Sequence, residues 1–509
     1  MKRRLFALAL ALLLAVSLPV SALARDWYID DGDITISATE IGQTVSQGNT
    51  TEADDAPVIK QRDSSNSTDK VIKVIAEKDA TANVTLDGVN IDTSKTGMTG
   101  RDQAALRTEG DGDVNIELDG DNYLKSSFAS HAAGLNKGNS GTLTINDEDN
   151  NGKLEATGGY GGAGIGGGYD SSTSDITITG GTITARGSNS GAGIGGGNHG
   201  NGSNITISGG DVTAIGSVYA SGIGGGLYGS GSDITISGGK VKATGGEASS
   251  GIGGGNQGHG RNIEISGGEV EASGGDLGAG IGGGNRGHGS NIEISGGEVT
   301  AKGGMSGAGI GGGCRGTGSS ITISGDAQVK AQGGTEHNEY NEGAGAGIGN
   351  GGAKNTNGAE VELDTSGLTE NGKLEYYAPG ADMETDDPEK VIENKPEASA
   401  PSGAPAPVYS VTDKDGNAVS YTAAREGGVL TIRVDAAYAR LTLTAAEAQA
   451  LTAQGVEKVI FVTTGATSAF RPADLAAYAS EAPFVLTHDG KTVTFTAGET
   501  DLASLLLQA

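Results

Sequence analysis

Six copies of the segment GIGGG, with isoleucines at Ile165, Ile194, Ile223, Ile252, Ile281 and Ile310, recur every 29 residues without a slip. A period this strict means stacked structural units rather than one globular core. In each copy an I-x-I pair follows, at Ile176 and Ile178, Ile205 and Ile207, Ile234 and Ile236, Ile263 and Ile265, Ile292 and Ile294, then Ile321 and Ile323. That alternation marks a short strand with one buried side. After a Gly-containing turn comes a third apolar element at Ile183, Val212, Val241, Val270, Val299 and Val329. Three short strands per coil cannot bury their apolar sides alone, but coils stacked in register pair each strand with its copy above and below. The pattern therefore predicts a parallel β-solenoid. A helical repeat is excluded because each glycine inside a helix costs about 1 kcal/mol relative to alanine. Collagen is excluded because the glycines do not fall on every third residue.

Weaker coils extend the pattern in both directions. Leu106 and Leu135 continue the GIGGG isoleucine column toward the N-terminus, and Val84, Leu86, Val89, Ile91, Val114, Ile116, Leu118, Leu143 and Ile145 supply strand material. In the other direction Ile348 falls late because of an insertion around 334–343, Val361 and Leu363 close the pattern, and 365–378 reads as a cap. We expect a solenoid over 25–378, regular over about 154–332, then a proline-rich acidic linker over 379–408 and a small α+β domain over 409–509. In that domain the strand candidates are Leu430 to Val434, Lys458 to Val462, Phe484 to Leu486 and Lys491 to Thr496. Thr444 and Glu447 fit a helix capping box, with Gly455 as the stop.

Composition agrees with a slim, repetitive core, since 93 glycines stand against six phenylalanines and one tryptophan. A formal net charge of −29 argues against nucleic acid as a partner. Cys314 is the only cysteine, so no internal disulfide forms. Lys2, Arg3 and Arg4 before an apolar run from Leu5 to Val16, followed by Ser21–Ala24, read as a signal peptide over 1–24. The expectation is a secreted or cell-surface protein without a transmembrane segment.

Residues 29 apart become neighbours in such a stack. Asp175, Asn204, Asp233, Asn262, Asn291 and Ser320 form one column, read as a hydrogen-bonding ladder. Lys240 falls between Asp211 and Glu269, and Lys242 beside Glu271, as structural cross-strand pairs. The calcium-toxin nonapeptide is rejected, because the large apolar residues stand one and three positions after the Asp rather than two. The better calcium candidates are acidic turns carrying Asp111, Asp113, Asp119, Asp121, Asp147 and Asp149, with ordinary solvated turns as the alternative and no cofactor required. His259 and His288 stack, but Thr317 follows and no third zinc ligand shares the column.

The segments VTLDGVNI (84–91), AALR (104–107) and LDGDN (118–122) resemble those of carbohydrate-binding domain-containing proteins of clostridial-type bacteria with a polysaccharide-lyase-like β-helix, and the GAGIGGG coils resemble those of related Gram-positive surface proteins. The resemblance spans about 26–375. It implies a right-handed, single-stranded parallel β-helix, an extracellular polysaccharide or cell-wall or host glycan as ligand, and calcium as a candidate ion, without established catalysis. Tyr160, Tyr169, Tyr219 and Tyr228 are the sugar-binding candidates. By the 29-residue register, however, they form no column with one another or with Trp27 and Tyr123, whereas sugar-binding faces usually present aligned rings. Three readings follow: non-catalytic polysaccharide binding, adhesion to host or matrix protein (or a structural spacer), and a lyase or hydrolase. Nearly identical coils argue against the last. A groove with clustered acids beside Arg107, Lys125 or Lys137 would favour it.

Overall fold

The computed structural model describes residues 25–96, 103–361, 363, 365–393, 409–414, 416–417, 419, 421–478, 482–490 and 492–507. The expected signal peptide therefore lies outside the described residues. The chain forms two compact units, dividing between Lys395 and Pro396.

The first unit is the expected parallel β-solenoid. Each regular coil contributes an Ile–Gly strand such as Ile165–Gly166, an I-x-I strand such as Ile176–Ile178 and a V-x-A strand such as Thr182–Arg186. Copies stack in exact register as three long sheets: Ile194 pairs with Ile223, Ile205 with Ile234 and Val212 with Val241. The GIGGG isoleucines are fully buried in all six coils. Burying one such side chain stabilises the fold by roughly 1.5–3 kcal/mol. Glycine follows isoleucine for two local reasons. At Gly195 φ is +134°, and a Cβ there would lie 2.0 Å from the carbonyl oxygen of Gly224 in the next coil. No other residue tolerates both that conformation and that approach.

The stack begins earlier than its period suggests. Asp26–Tyr28 already pairs in parallel with Val58–Lys60, which pairs in turn with the strand Thr81–Asp87. An antiparallel meander of Ile34–Thr39, Gly42–Gln47 and Thr50–Ala53 closes the sheet of Ile–Gly strands at this end. The buried Trp27 indole donates to Asp54 at 2.9 Å, tying the meander to the first coil.

The other end departs from expectation in two places. Val361 and Leu363 pack against the core, and the neighbouring Glu360 carboxylate accepts from the backbone N–H groups of Gly347 (2.6 Å) and Ile348 (2.9 Å). The cap region contains a true coil strand, Lys373–Tyr377, paired with Gln328–Gln332. Lys390–Glu393, inside the stretch expected to be a linker, adds an antiparallel strand to it.

The second unit is a small α+β domain. Ser410–Thr412, Tyr438–Leu443, Phe484–Asp489, Val493–Ala497 and Thr500–Asp501 form one sheet, and Thr422–Glu426, Val429–Arg433, Lys458–Val462 and Thr467–Phe470 another. Phe461, Phe470, Phe484 and Phe495 fill its core. The helix Ala445–Ala453 starts on the expected Thr444–Glu447 capping box. Among the described residues no helix is long and apolar enough to cross a membrane.

Candidate functional site

Two columns of turn residues on the regular coils share one unusual backbone conformation. The first is the expected polar ladder: Asp175, Asn204, Asp233, Asn262, Asn291 and Ser320, all with φ between 47° and 60°. Asn262 donates to Asp233 at 2.8 Å and Asn291 donates to Asn262 at 2.9 Å, so the ladder is real, and most of it is exposed. Short polar side chains tolerate this left-handed region by bonding locally.

The second column is the residue two places after each GIGGG: Asp170, His199, Tyr228, Gln257, Arg286 and Arg315, with φ between 57° and 64°. Backbone N–H groups bond from coil to coil along it, Tyr228 to the Asn256 carbonyl at 3.0 Å, Gln257 to Asn285 at 2.9 Å and Arg286 to Cys314 at 2.7 Å. Tyrosine, glutamine and arginine are poorly suited to positive φ, where a glycine would fit without strain.

These residues assemble an aromatic edge that the 29-residue register conceals. Tyr160 and Tyr169 stack with centroids 6.1 Å apart and planes at 23°. Phe128 meets Tyr160 edge-on at 5.0 Å, and His131 contacts both tyrosines at 5.3 and 5.4 Å. His199 continues the row, 6.0 Å from Tyr169 and 5.4 Å from Tyr228. Its Nδ1 is bonded to Asp170 at 2.9 Å. By register the tyrosines form no column, as expected, but three of the four candidates join one row, because rings from neighbouring columns reach each other across the turn. Tyr219 is exposed but makes no ring contact with the row among the described residues. Phe128, His131 and His199 were missed by sequence reasoning, although His131 and Tyr160 do stand one period apart. Phe128 and Tyr228 are 63% and 54% exposed, so the row faces solvent. Gly161 makes the packing possible, since a Cβ there would lie 2.5 Å from the Tyr169 ring. Beside the rings, His131 Nδ1 and Asn198 Oδ1 are buried without a hydrogen-bond partner.

Beyond Tyr228 the same edge becomes basic. Arg261, Arg286 and Arg315 are exposed. Arg315 pairs with Glu342, whereas Arg261 and Arg286 have no ion-pair partner among the described residues. The His259 and His288 rings stack at 5.1 Å with planes 6° apart. His259 Nδ1 accepts from the backbone N–H of His288 at 3.0 Å, and His288 Nδ1 from that of Thr317 at 3.1 Å. Both neutral rings therefore carry their proton on Nε2 and present N–H donors, an arrangement unlike a zinc site. The Cys314 thiol behind this edge is buried, and burial pushes it up to about 11, so it is unreactive.

The calcium candidates do not converge on one site. Asp111 accepts from Ser140 Oγ at 2.6 Å and Asp113 from the Thr142 N–H at 2.7 Å, each tying two coils together. Asp119 pairs with Asp87, and Asp121 with Lys153, as ordinary strand neighbours. Only Asp147 and Asp149 come together, joined by Glu117, with ligand oxygens within 4.8 Å of one another. Glu117 was missed because it sits one coil earlier, opposite Asn146. Burial, aided by nearby Glu148, Asp147 and Asp149, raises the Glu117 carboxyl above its usual value. Much of the oxygen set is already used: Asp147 accepts from the N–H groups of Asn151 (3.2 Å) and Gly152 (2.9 Å), and Glu117 from that of Glu148 (2.8 Å).

Of the cations named for a catalytic groove, Lys137 is buried and bonded to the carbonyls of Asn139 (2.6 Å) and Gly141 (2.7 Å), and Arg107 pairs with Glu109. Lys125 does line a shallow cleft of about 310 Å³ with Tyr123, Asp92 and Glu155, and it bonds Asp92 at 3.0 Å. The larger clefts, about 590 and 530 Å³, lie where residues 380–388 pass over Lys330, away from the aromatic row. Lys240 and Lys242 bond Glu269 and Glu271 at 2.7 and 2.8 Å, as the register implied.

Stacked parallel coils with in-register columns define a parallel β-helix repeat protein. A protein-family model described as Beta helix repeat matches residues 150–169, 176–198, 205–227, 234–256, 263–285, 292–314 and 321–352. No curated protein and no solved structure matches the chain.

Proposed function

We propose that this chain is a secreted or cell-surface protein that binds extracellular polysaccharide along its aromatic edge without cleaving it. The row Phe128–Tyr160–Tyr169–His199–Tyr228 carries the reading. Exposed rings offer apolar faces to the C–H faces of sugars, and the tyrosine hydroxyls of the row offer hydrogen bonds to sugar hydroxyls. A solenoid edge also suits a long ligand, because each coil adds one increment of contact surface. Aligned rings favour this reading over adhesion to protein or a plain spacer, for which a featureless edge would suffice.

The direct test uses the chain from residue 25 in glycan-array and insoluble-polysaccharide pull-down experiments, with reducing and unsaturated sugar ends monitored. The expected result is retention without product release, weakened in Tyr160→Ala and Tyr228→Ala. Failure to retain any glycan would overturn the reading. Chelation that abolishes retention would show a divalent cation to be required, and its loss in Asp149→Asn would assign it to Glu117, Asp147 and Asp149.

The Asp92–Lys125–Glu155 cleft favours a second reading, glycoside cleavage by paired carboxylates. Product release that disappears in Asp92→Asn would establish it in place of the first.

A further inference from the structure

We infer that the ligand of this edge is an anionic polysaccharide lying along the coil axis, with sugar faces on the aromatic half and carboxylates or sulfates on the basic half. The inference rests on the polysaccharide reading above and names the class of glycan. Its observations are independent of the aromatic row. In a chain with formal net charge −29, these coils carry Arg286 and Arg315 in the second turn column, Arg261 at the start of the strand Gly260–Ile265, and two stacked imidazoles. In the coil-to-coil bonding Gln257 follows Tyr228 and Arg286 and Arg315 come next, so a single column runs from the aromatic residues to the basic ones.

The chemistry of the basic half fits oxyanions. Arg261 and Arg286 are exposed and spend no charge on internal acids, and guanidinium groups grip carboxylates and sulfates through paired N–H donors. His259 and His288 hold their Nδ1 atoms on backbone N–H groups, which leaves Nε2–H as a further donor on each ring. Arg315, held by Glu342, contributes least. Glu247 and Asp276 occupy the adjoining turns but form no ion pair with Arg261 or Arg286.

Other polyanions fit less well. A nucleic acid brings a phosphate at every nucleotide toward a strongly acidic molecule, a denser charge than that of a glycan with spaced carboxylates or sulfates.

Backbone conformation adds a separate indication. Arg286 stands at φ 62° in a chain that uses glycine freely at positive φ. A large charged side chain there has no structural requirement, since its backbone bond to Cys314 would survive replacement by glycine.

The test immobilises polygalacturonate and chondroitin sulfate as anionic probes, xyloglucan and laminarin as neutral ones, and single-stranded oligonucleotide as a sugar-poor polyanion. The protein is the chain from residue 25, with Arg261→Gln, Arg286→Gln and Arg286→Gly variants whose thermal unfolding is recorded alongside. We expect retention on at least one anionic glycan, weakening with salt. Each arginine variant should lose about tenfold there, as for a lost charge-assisted pair, with unfolding unchanged. Equal retention on neutral glycans with indifferent arginine variants would overturn the inference while leaving the polysaccharide reading standing. Absence from every glycan would overturn both. Oligonucleotide binding as tight as glycan binding would replace the anionic glycan with polyanions in general. Arginine variants that unfold early would make these residues structural and also overturn it.

Discussion

The two left-handed turn columns of the regular coils have the same backbone conformation and opposite contents. From Asp175 to Ser320 the chain places residues that tolerate positive φ, and they bond to one another. From Asp170 to Arg315 only the first two, Asp170 and His199, bond to each other, and the column then places tyrosine, glutamine and two arginines, residue types poorly suited to the conformation. The difference teaches that the first column serves the stack and that the second serves something outside it. Strain at a position that glycine would relieve is a pointer to function.

The stack itself sets the upper end of the scale. Ile252→Ala should cost about 2–5 kcal/mol, the range for truncating a fully buried aliphatic side chain, read by denaturant unfolding of the first unit. In the bonded column, Asn262→Ala removes hydrogen bonds to both Asp233 and Asn291 and should cost about 1–2 kcal/mol. A neutral result there would erase the contrast between the columns. In the strained column, Tyr228→Gly and Arg286→Gly should leave stability unchanged or raise it by up to about 1 kcal/mol, while glycan retention falls.

The smallest effect is expected off the solenoid and bounds what acid alone can do. His488 is buried in the second unit between Thr463 (3.1 Å) and Ser468 (2.9 Å), and burial lowers its pKa. The unfolded chain then binds the proton more readily, so stability should be full above about pH 6.5 and decline as pH falls from there toward the lower folded value. His488→Gln should flatten that slope, read by unfolding of the second unit between neutral and mildly acid pH.

The fold was legible because the interior repeats one residue type per column: the isoleucines of GIGGG announce their own stacking. The antiparallel meander at Ile34–Ala53 was not, since it occurs once and carries no period. The site was hidden for a related reason. Asp170, His199, Tyr228, Gln257, Arg286 and Arg315 share a position but no single residue type, so no column announces itself. Tyr160 and Tyr169 sit nine residues apart and meet only because the turn between them folds back. The signal available was positional, namely the residue two places after each GIGGG. Glu117 escaped likewise, because its partners Asp147 and Asp149 lie on the next coil.

The most direct test measures thermal unfolding and polysaccharide retention side by side for Tyr228→Gly. If the second column serves a ligand, retention falls about tenfold or more while the melting temperature holds or rises. A melting temperature that falls, or retention equal to that of the parent chain, would contradict the account.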